Sequence, residues 1–326
     1  MMATIKDVAK KANVSVATVS RVLNNSGYVN QETRKLVEKA IQDLQYIPNE
    51  LARSLYKKQS KIIGLVVPHL STHFFSELIE RIEEYFSTDN YKIMIFNVRE
   101  DLSQEEKVLQ VFSQYNVDGL FIITHIPEIE AYKKLDIPII MIDHQSEDEF
   151  ISISSNNIEG GRLAAEHLVE NGCRNFLHIR GPSVLLTVQD RSQGFNEVID
   201  RYGYNRKTLD LDFRKPDISA IQNFVRNNSE YDGIFCDSDF IAFTTIRAIN
   251  LLGRNVPKDY QVVGFDNIEL AELFTPNLTT IQQNIDLIAK HAYEKMVGLI
   301  NGKVNTKKHY SMPVTLIRRE STRKKD

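Results

Sequence analysis

Residues 4–24 read TIKDVAKKANVSVATVSRVLN, and this stretch decides the fold of the amino-terminal segment. Thr4 precedes a run with apolar residues at helical spacing, and Asp7 stands three positions after it, as in an amino-terminal capping box. Asn13 and Val14 break the pattern, and Ser15 is placed to cap a second helix. The stretch therefore predicts two short helices joined by a tight turn.

The second predicted helix has two distinct faces. Val19, Val22 and Leu23 fall on its inward face, which leaves small hydroxyl side chains and one guanidinium on the outward face. A third amphipathic helix is predicted from about residue 31 to residue 44. Its apolar stripe consists of Leu36, Val37, Ala40, Ile41 and Leu44. Three helices this short bury a core only by packing together.

Two helices with a tight turn and such an outward face form the helix-turn-helix arrangement, whose second helix enters the major groove of DNA. Thr18 and Ser20 can bind base edges or phosphates, Arg21 can bind phosphate or guanine, and Ala17 can approach a thymine methyl. We therefore expect double-stranded DNA as a partner; a three-helix bundle that binds protein is the alternative. The predicted DNA contacts here are Thr4, Ser15, Val16, Ala17, Thr18, Ser20, Arg21 and Asn24.

Charge is distributed unevenly along the chain. Residues 1–61 contain 11 Lys and Arg against 5 Asp and Glu, a net charge of +6. The whole chain contains 40 basic and 43 acidic residues. Residues 62–326 therefore contain 29 basic and 38 acidic residues, a net charge of −9. A basic module on an acidic body is expected for a polyanion-binding head, because phosphate neutralisation needs cations only at the interface. An accidental charge run is the alternative.

The opening stretch resembles the start of the lac repressor (LacI/GalR) family of bacterial transcription regulators. YIPNELARSLYKKQSKIIGLVVP at 46–68 resembles the family's hinge segment, and GGRLAAEHLVENG at 160–172, VVGFDN at 262–267 and LTTI at 278–281 resemble later motifs. The resemblance covers essentially the whole chain and implies a sugar-operon repressor. It implies a helix-turn-helix domain at 1–47, a hinge helix and linker at 48–61, and a ligand-binding and dimerisation domain at 62–326.

The resemblance also implies a role for the hinge, which would fold into a short helix on DNA. Leu55 would be an apolar wedge in the minor groove at the centre of a pseudo-palindromic operator, with Ala52 and Arg53 beside the backbone and groove. Such a wedge unstacks a base step and kinks the duplex. Packing between domains is the alternative role for Leu55.

The rest of the chain alternates short apolar runs with segments of helical periodicity. The runs are IIGLVVP, YKIMIFNV, DGLFIIT, IPIIMID, NFLHIRG, DGIFCDS and YQVVGFD. This alternation predicts parallel sheets sandwiched by helices. Seven such runs over this length favour two doubly wound lobes. The resemblance implies the architecture of periplasmic sugar-binding proteins, with a ligand cleft between the lobes and several chain crossovers.

Ligands in open α/β sheets lie outside the carboxyl ends of the strands. Asp143 and Asp266 end two of the apolar runs, and Arg191 follows a third. Two carboxylates and a guanidinium suit the hydroxyls of a sugar, and the resemblance places ligand contacts at these positions. It also places ligand stacking at Phe74 and Phe75, for which core packing is the alternative. Ser238 is expected to contact the ligand or to cap a helix.

A pseudo-palindromic operator requires a two-fold pair of heads, so we expect a homodimer. The resemblance places the dimer interface along the lobe of the first strand, to which Leu78, Ile79 and Ile82 are expected to contribute. The tail LIRRESTRKKD has no heptad run, so a tetramer is not expected.

Several classes of function are not supported by the sequence. It has no GxSxG motif, no P-loop and no metal-ligand spacing, so we predict no enzyme activity, no metal and no cofactor. Its apolar runs are too short for a membrane helix and its amino terminus lacks a signal peptide, so we expect a cytoplasmic protein. Cys173 and Cys236 are predicted to be structural thiols.

Binding of a small ligand is expected to change the angle between the lobes and thereby the affinity for the operator. A sugar inducer that releases DNA is the first hypothesis. A corepressor and a protein coeffector are alternatives within the same fold. A sugar-binding protein without a regulatory role is the alternative from a different class, and the basic amino-terminal segment argues against it.

Overall fold

The computed structural model describes residues 3–46, 59–99, 102–123, 132–143, 150–304 and 307–324. The chain divides into two units, Met1–Lys61 and Ile62–Asp326, which we call the head and the body. The predicted hinge contacts Ala52, Arg53 and Leu55 lie outside the described residues. No helix in the described ranges combines the length and the apolar character that a membrane span requires.

The head contains the three helices that the sequence predicts. They are α1 (Ile5–Lys11), α2 (Val16–Asn24) and α3 (Gln31–Leu44). Thr4 and Asp7 form the predicted capping box, and the Ser15 hydroxyl accepts a hydrogen bond from the Thr18 amide. Val8, Val19 and Val37 are fully buried where the helices meet. Capped helices and one small apolar core, to which all three helices contribute, therefore form this unit.

The prediction for the apolar stripe of α3 was wrong at Leu36. This side chain is 56% exposed, whereas Val37 and Ala40 are buried and Ile41 and Leu44 are partly buried against the same core. The buried positions follow the spacing i, i+3, i+4 and i+7 from Val37, so Leu36 lies one step of about 100° off that face.

The body consists of two lobes, each built on a six-stranded sheet of the described residues. Lobe 1 has the strand order β11-β5-β4-β3-β1-β2, and every strand pair in it is parallel. The strands are β1 (Ile62–Val67), β2 (Lys92–Asn97), β3 (Gly119–Ile122), β4 (Ile139–Ile142), β5 (Ile151–Ser155) and β11 (His309–Met312). The helices are α4 (His73–Ser87), α5 (Leu102–Tyr115) and α10 (Ile285–Ile300).

Lobe 2 has the order β12-β10-β9-β8-β6-β7, in which only the edge strand β12 is antiparallel to its neighbour. The strands are β6 (Asn175–Arg180), β7 (Asn205–Asp210), β8 (Gly233–Cys236), β9 (Gln261–Asp266), β10 (Thr279–Gln283) and β12 (Val314–Ile317). The helices are α6 (Asn157–Glu170), α7 (Leu186–Arg201), α8 (Ile218–Arg226) and α9 (Asp239–Leu251).

Both faces of the central strands of each sheet are buried, as in a doubly wound fold, whereas the edge strands β2 and β7 are partly exposed. In β1, Leu65 and Val67 pack with α4 and α10, whereas Val66 points to the opposite face with α5. The cysteines also lie in the core of lobe 2, where Cys173 and Cys236 are free and buried. Burial on two faces explains the continuous apolar runs, and the prediction of two parallel-sheet lobes is confirmed.

The polypeptide passes between the lobes at three places within the described residues. It crosses from β5 to α6 at Asn156, from β10 to α10 at Asn284, and from β11 to β12 at Pro313. Asn156 also donates its amide to the carbonyl oxygen of Met312, which joins the first crossing to the third. The two lobes are therefore connected by short segments, two of which are bonded to each other.

The structure corrects the expected contribution of α4 to a dimer interface. Leu78 and Ile82 are fully buried and Ile79 is 8% exposed, because all three pack against the sheet of lobe 1 within the same chain. The apolar face of α4 packs against the sheet of its own lobe, so these side chains are not available to a second protomer.

Helices α6 and α7 pack with their backbones in contact. A Cβ atom on Gly161 would overlap the carbonyl oxygen of Arg191, and one on Gly194 would overlap that of Ile158. Only glycine allows this approach, since neither backbone can retreat without moving its helix. The crossing fixes the position of α7 and of the side chains that α7 carries.

Replacing Gly194 by alanine is expected to lower the free energy of unfolding of the body by about 1–3 kcal/mol, because the added methyl group meets backbone. Gly298 is a matched control inside α10, where the nearest atom to an added Cβ would be 3.7 Å away. Gly298→Ala is expected to be neutral or to stabilise by up to about 1 kcal/mol. Thermal unfolding followed by circular dichroism measures both; equal midpoints for the two variants would contradict the packing argument.

Candidate DNA-reading helix and candidate effector cleft

The outward face of α2 presents the residues that were predicted to contact DNA. Val16, Ala17 and Arg21 are exposed, and Thr18, Ser20 and Asn24 are partly buried. Val16, Ala17, Ser20, Arg21 and Asn24 share the spacing of one helix face, whereas Val19 and Val22 lie in the core. The helix therefore offers a narrow surface of small and polar groups with one long cation.

Two pairs of polar side chains on α2 are already bonded to each other. The hydroxyls of Ser15 and Thr18 lie 2.9 Å apart, and Asn24 Nδ2 donates to Ser20 Oγ at 3.2 Å. These bonds hold the side chains in fixed rotamers, which reduces the entropy lost when they contact a partner. Thr4 differs from the α2 residues, because its hydroxyl and amide are used by the capping box of α1.

The segment after α2 is held by a contact from α3. Asn25 ends α2 with a left-handed backbone (φ 48°), and Arg34 Nη1 donates to its Oδ1 at 2.8 Å. Tyr28 follows in the same turn and is 91% exposed. The turn is thus fixed by its neighbours while its side chains remain on the surface.

A cleft between the two lobes of the body has a volume of about 470 Å³ and receives the predicted ligand-binding residues. Phe74, Phe75 and Asp143 come from lobe 1, and Arg191, Ser238 and Asp266 come from lobe 2. The structure therefore brings all six together, at the carboxyl ends of strands and the starts of the following helices, as expected for doubly wound sheets.

Arg191 is the central cation of the cleft and is only 4% exposed. Its Nε donates to Asn157 Oδ1 at 2.8 Å, and its Nη1 donates to the backbone carbonyl oxygen of Asp237. Its guanidinium carbon lies 3.7 Å from the ring centroid of Phe265, as in a cation–π contact. Asp237 is itself held, because its carboxylate accepts from His178 Nε2 at 2.7 Å and from the amide of Gly181 at 3.2 Å.

The two cleft carboxyl groups resist ionisation. Burial raises the pKa of Asp143 to about 6 and that of Asp266 to about 7, although the nearby charge of Arg191 acts in the opposite direction on both. Gln283 Nε2 donates to Asp266 Oδ1 at 2.7 Å, whereas Asp143 Oδ1 has no hydrogen-bond partner among the described residues. A buried acceptor without a partner is costly, so Asp143 is suited to a hydroxyl donor from a ligand.

Both carboxyl groups are carried by backbone in the left-handed region. The φ angle is 58° at Asp143, 117° at Asp266 and 60° at Asn267. Such conformations cost free energy in residues with a side chain, and they persist where surrounding contacts impose them. Here the Asp239 carboxylate accepts from the Ile268 amide at 2.9 Å, which holds the turn after β9.

Phe74, Phe75 and Ser238 each have two roles. The two rings meet edge to face with centroids 5.5 Å apart, and both line the cleft while they pack in the core of lobe 1. Ser238 lines the cleft and also caps α9 through a hydrogen bond from the Ile241 amide at 3.2 Å. The structure thus shows the packing role of Phe74 and Phe75 and the capping role of Ser238, and contact with a ligand stays a prediction for all three.

Sequence reasoning missed several residues of the cleft wall. Gln283 ends β10, so the rule on strand ends could have found it. The others include His69, Leu185, Asp212, Phe213, Arg214, Phe240 and Ile268, and most of them also lie within a few residues after a strand. Leu185, Phe213, Phe240 and Ile268 form the apolar part of the cleft wall with Phe74 and Phe75, whereas His69, Asp212 and Arg214 form a polar part. The floor consists of Asp143, Arg191, Asp266 and Gln283.

The raised pKa of Asp266 predicts a pH-dependent effect of Asp266→Asn on stability. Between about pH 4 and pH 7 the folded protein holds a proton at Asp266 that the unfolded chain releases, so this group makes folding less favourable as the pH rises. The asparagine side chain does not ionise and removes this dependence. We expect the variant to gain in thermal midpoint relative to the natural chain when the pH is raised from about 5 to about 8. The exposed residue Asp136 provides a control, Asp136→Asn; a difference that is independent of pH for both variants would refute the prediction.

Comparison with known proteins supports both the helix-turn-helix of the head and the two-lobed fold of the body. The family model for bacterial regulatory proteins of the lacI family matches residues 4–49, and the model for a periplasmic binding protein-like domain matches residues 165–322. The ribose operon repressor of Halalkalibacterium halodurans is 38% identical over 323 residues, which cover 99% of this chain and 98% of that repressor.

Two solved structures are also similar. The periplasmic binding protein/LacI transcriptional regulator from Alkaliphilus metalliredigens complexed with D-xylulofuranose is 34% identical, with a TM-score of 0.74 over 81% of this chain and 100% of that one. The lac repressor dimer bound to operator and the anti-inducer ONPF is 26% identical, with a TM-score of 0.90 over 99% of each chain. The chain has a capped helix-turn-helix and a two-lobed body, and it matches a ribose operon repressor along nearly its full length. This chain therefore belongs to the lacI family of bacterial regulatory proteins.

Proposed function

We propose that the protein is a sequence-specific transcriptional repressor whose affinity for its operator is controlled by a sugar of pentose size bound in the cleft. The polar floor of the cleft is the observation that carries the proposal, since it places one guanidinium between two carboxyl groups beside apolar walls. This combination offers donors and acceptors to neighbouring hydroxyls and an apolar surface to the C–H face of a sugar ring.

The charge of the floor favours a neutral ligand over a phosphorylated one. Asp143 and Asp266 outnumber Arg191 on the floor, and Nε and Nη1 of Arg191 already donate to Asn157 and to the Asp237 carbonyl oxygen. A phosphate group would meet two acids in a low-dielectric cleft. A neutral pentose also agrees with the ribose operon repressor that is similar along the whole chain, and with the solved regulator that holds D-xylulofuranose.

The head is assigned to DNA binding and the body to ligand binding and dimerisation. Residues 1–47 would form the DNA-reading domain, 48–61 the hinge and 62–326 the effector domain. Two heads of a homodimer would meet two half-sites of a pseudo-palindromic operator, as the similar lac repressor dimer binds its operator. Leu55 is the proposed minor-groove wedge of the hinge, and Ala52 and Arg53 are proposed contacts beside the backbone and groove.

Regulation requires that the effector prefer one arrangement of the lobes. Asp143 belongs to lobe 1 whereas Arg191 and Asp266 belong to lobe 2, so a ligand that contacts all three bridges the lobes. Such a ligand binds one interlobe angle better than another and thereby shifts the population of the body. We assign the ligand the role of an inducer that releases DNA.

The proposal includes no catalytic role. It is supported by the similar proteins, which carry the names of operon repressors, and by the use of the cleft's charged groups as hydrogen-bonding partners. The site of action would be the cytoplasm, at the operator on the chromosome, because DNA is the proposed partner.

Operator titration tests the proposal directly. Binding of the full-length protein to a pseudo-palindromic operator is followed by fluorescence anisotropy, with D-ribose, D-xylulose, sucrose and ribose 5-phosphate as additions. We expect D-ribose or D-xylulose to weaken operator binding and ribose 5-phosphate to have no effect. Tighter binding with a sugar would indicate a corepressor instead. If the protein bound no operator of this type, the result would favour the alternative of a sugar-binding protein without a regulatory role.

Arg21→Ala is expected to weaken binding to the operator by about 1–3 kcal/mol, because the only long cation on the outward face of α2 is lost. The slope of affinity against salt should also decrease if Arg21 contacts a phosphate. Arg226→Ala removes an exposed arginine from α8 in the body and serves as the control. Equal operator affinities for the two variants would argue against α2 as the reading helix.

Arg191→Met is expected to raise the Kd for the active sugar at least about tenfold while operator binding without sugar is retained. The physical reason is that the variant loses the central donor of the cleft and leaves two carboxyl groups without a cation. Isothermal titration calorimetry measures the sugar and anisotropy measures the operator. Arg226→Met is the matched control, and unchanged sugar binding by Arg191→Met would refute the site.

A further inference from the structure

The first two crossings between the lobes have nearly the same local conformation. Asn156 has φ −74° and ψ 79°, and Asn284 has φ −84° and ψ 78°. Each caps the helix that follows it, through hydrogen bonds from Glu159 N at 3.1 Å and from Leu287 N at 3.0 Å. Both dihedral pairs lie near the inverse γ-turn, outside the helix and strand regions. Residues at the ends of elements that absorb changes in φ and ψ are the usual hinges of two-lobed proteins.

Asn157 joins the first crossing to the cleft. The residue is 3% exposed, and its Nδ2 donates to the carbonyl oxygen of Ser155, the last residue of β5 in lobe 1, at 3.2 Å. Its Oδ1 accepts from Nε of Arg191 at 2.8 Å. One buried side chain therefore links the end of a lobe 1 strand to the central cation of the cleft in lobe 2.

Gln283 lies at the second crossing, where it bonds a cleft residue within lobe 2. It is 3% exposed, precedes Asn284, and donates its Nε2 to Asp266 Oδ1 at 2.7 Å. In the sheet of lobe 2 it pairs with Val314, which follows the third crossing at Pro313. Its Oε1 is buried and has no hydrogen-bond partner within the described part of the chain. Gln283 thus touches the second cleft charge while it lies beside two of the three crossings.

We propose that Asn157 and Gln283 are positioning residues that transmit effector binding to the crossings and so determine how strongly the effector changes operator affinity. This inference rests on the proposed function of the cleft. Hydrogen bonds between buried groups are strong and leave unsatisfied atoms when broken, so Arg191 and Asp266 cannot shift without the crossing residues. A ligand that draws these two groups towards Asp143 therefore acts on both pivots of the interlobe motion.

The affinity for the effector and the coupling of effector binding to operator binding are separate quantities. Coupling is the ratio of the operator Kd with saturating effector to the operator Kd without it, and it depends only on the difference between two conformations. A residue that merely shapes the cleft changes the Kd for the sugar and leaves the ratio at saturation unchanged. A residue that links the cleft to the crossings changes the ratio.

The test uses the full-length protein, with D-ribose as the probe and the operator titration described above. Asn157→Asp keeps an acceptor for Arg191 and loses the donor to Ser155, whereas Gln283→Met keeps the volume and loses the donor to Asp266. Calorimetry with D-ribose verifies that each variant is folded and binds, and sets the saturating concentration. We expect both variants to bind D-ribose and to reduce the coupling ratio at least about fivefold, since couplings of about 5- to 150-fold are typical.

Two buried residues of lobe 2 provide matched controls. Asn228 is 5% exposed, donates its Nδ2 to the carbonyl oxygen of Phe224 and accepts from Nζ of Lys207, in the same pattern as Asn157. Gln261 is fully buried, donates to the carbonyl oxygen of Asn171 and accepts from the amide of Arg323. Asn228→Asp and Gln261→Met are expected to lower stability without reducing the coupling ratio.

The outcomes are distinct. If the natural chain responds to D-ribose and both variants respond equally at saturation, the inference is overturned and the proposed function stands. If the controls reduce the ratio as much as the variants do, the effect is structural and the inference is again overturned. If D-ribose has no effect on operator binding by the natural chain, the same measurements are made with D-xylulose. If neither pentose has an effect, the proposed pentose effector fails, and the inference fails with it.

Discussion

Burial of the Arg191 guanidinium is the constraint on which the rest of the body depends. A charge that is 4% exposed must be compensated by nearby dipoles and charges, and three elements supply them: Asn157 at the start of α6, the Asp237 carbonyl after β8, and the ring of Phe265 in β9. The glycines of α6 and α7 allow these two backbones to touch, and this contact places Arg191 of α7 next to Asn157 of α6. The packing of α6 on α7 is therefore part of what forms the cleft.

The same charge explains why two carboxyl groups are tolerated beside it. Asp143 and Asp266 approach the cleft from different lobes, and burial alone would make either anion unfavourable. Arg191 offsets part of this cost for both groups. A sugar hydroxyl would satisfy the remaining acceptors, including Asp143 Oδ1, and would do so across the gap between the lobes. In the proposed function, recognition of the ligand and closure of the lobes would thus depend on the same charged groups.

The short crossings between the lobes lie next to the charged residues of the cleft. Since Asn157 and Gln283 lie beside the crossings and are bonded to Arg191 and Asp266, the residues proposed to bind the ligand are connected to the segments that join the lobes. Coupling between distant sites needs an element with two arrangements and a ligand that distinguishes them. Both requirements can be met within a few residues of the cleft floor.

By itself the sequence determined what depends on local order: the capped helices around Thr4 and Ser15, the apolar strands, and Asp143, Arg191 and Asp266 near strand ends. Capping, periodicity and the rule on strand ends act over a few residues, and the family resemblance supplied the two-lobed plan. The tertiary structure alone decided that the apolar face of α4 packs within its own lobe, and that Asn157 and Gln283 are bonded to the cleft residues Arg191 and Asp266. Arg191 is 34 residues from Asn157 in the chain and Asp266 is 17 residues from Gln283, and periodicity does not specify which partner a side chain meets.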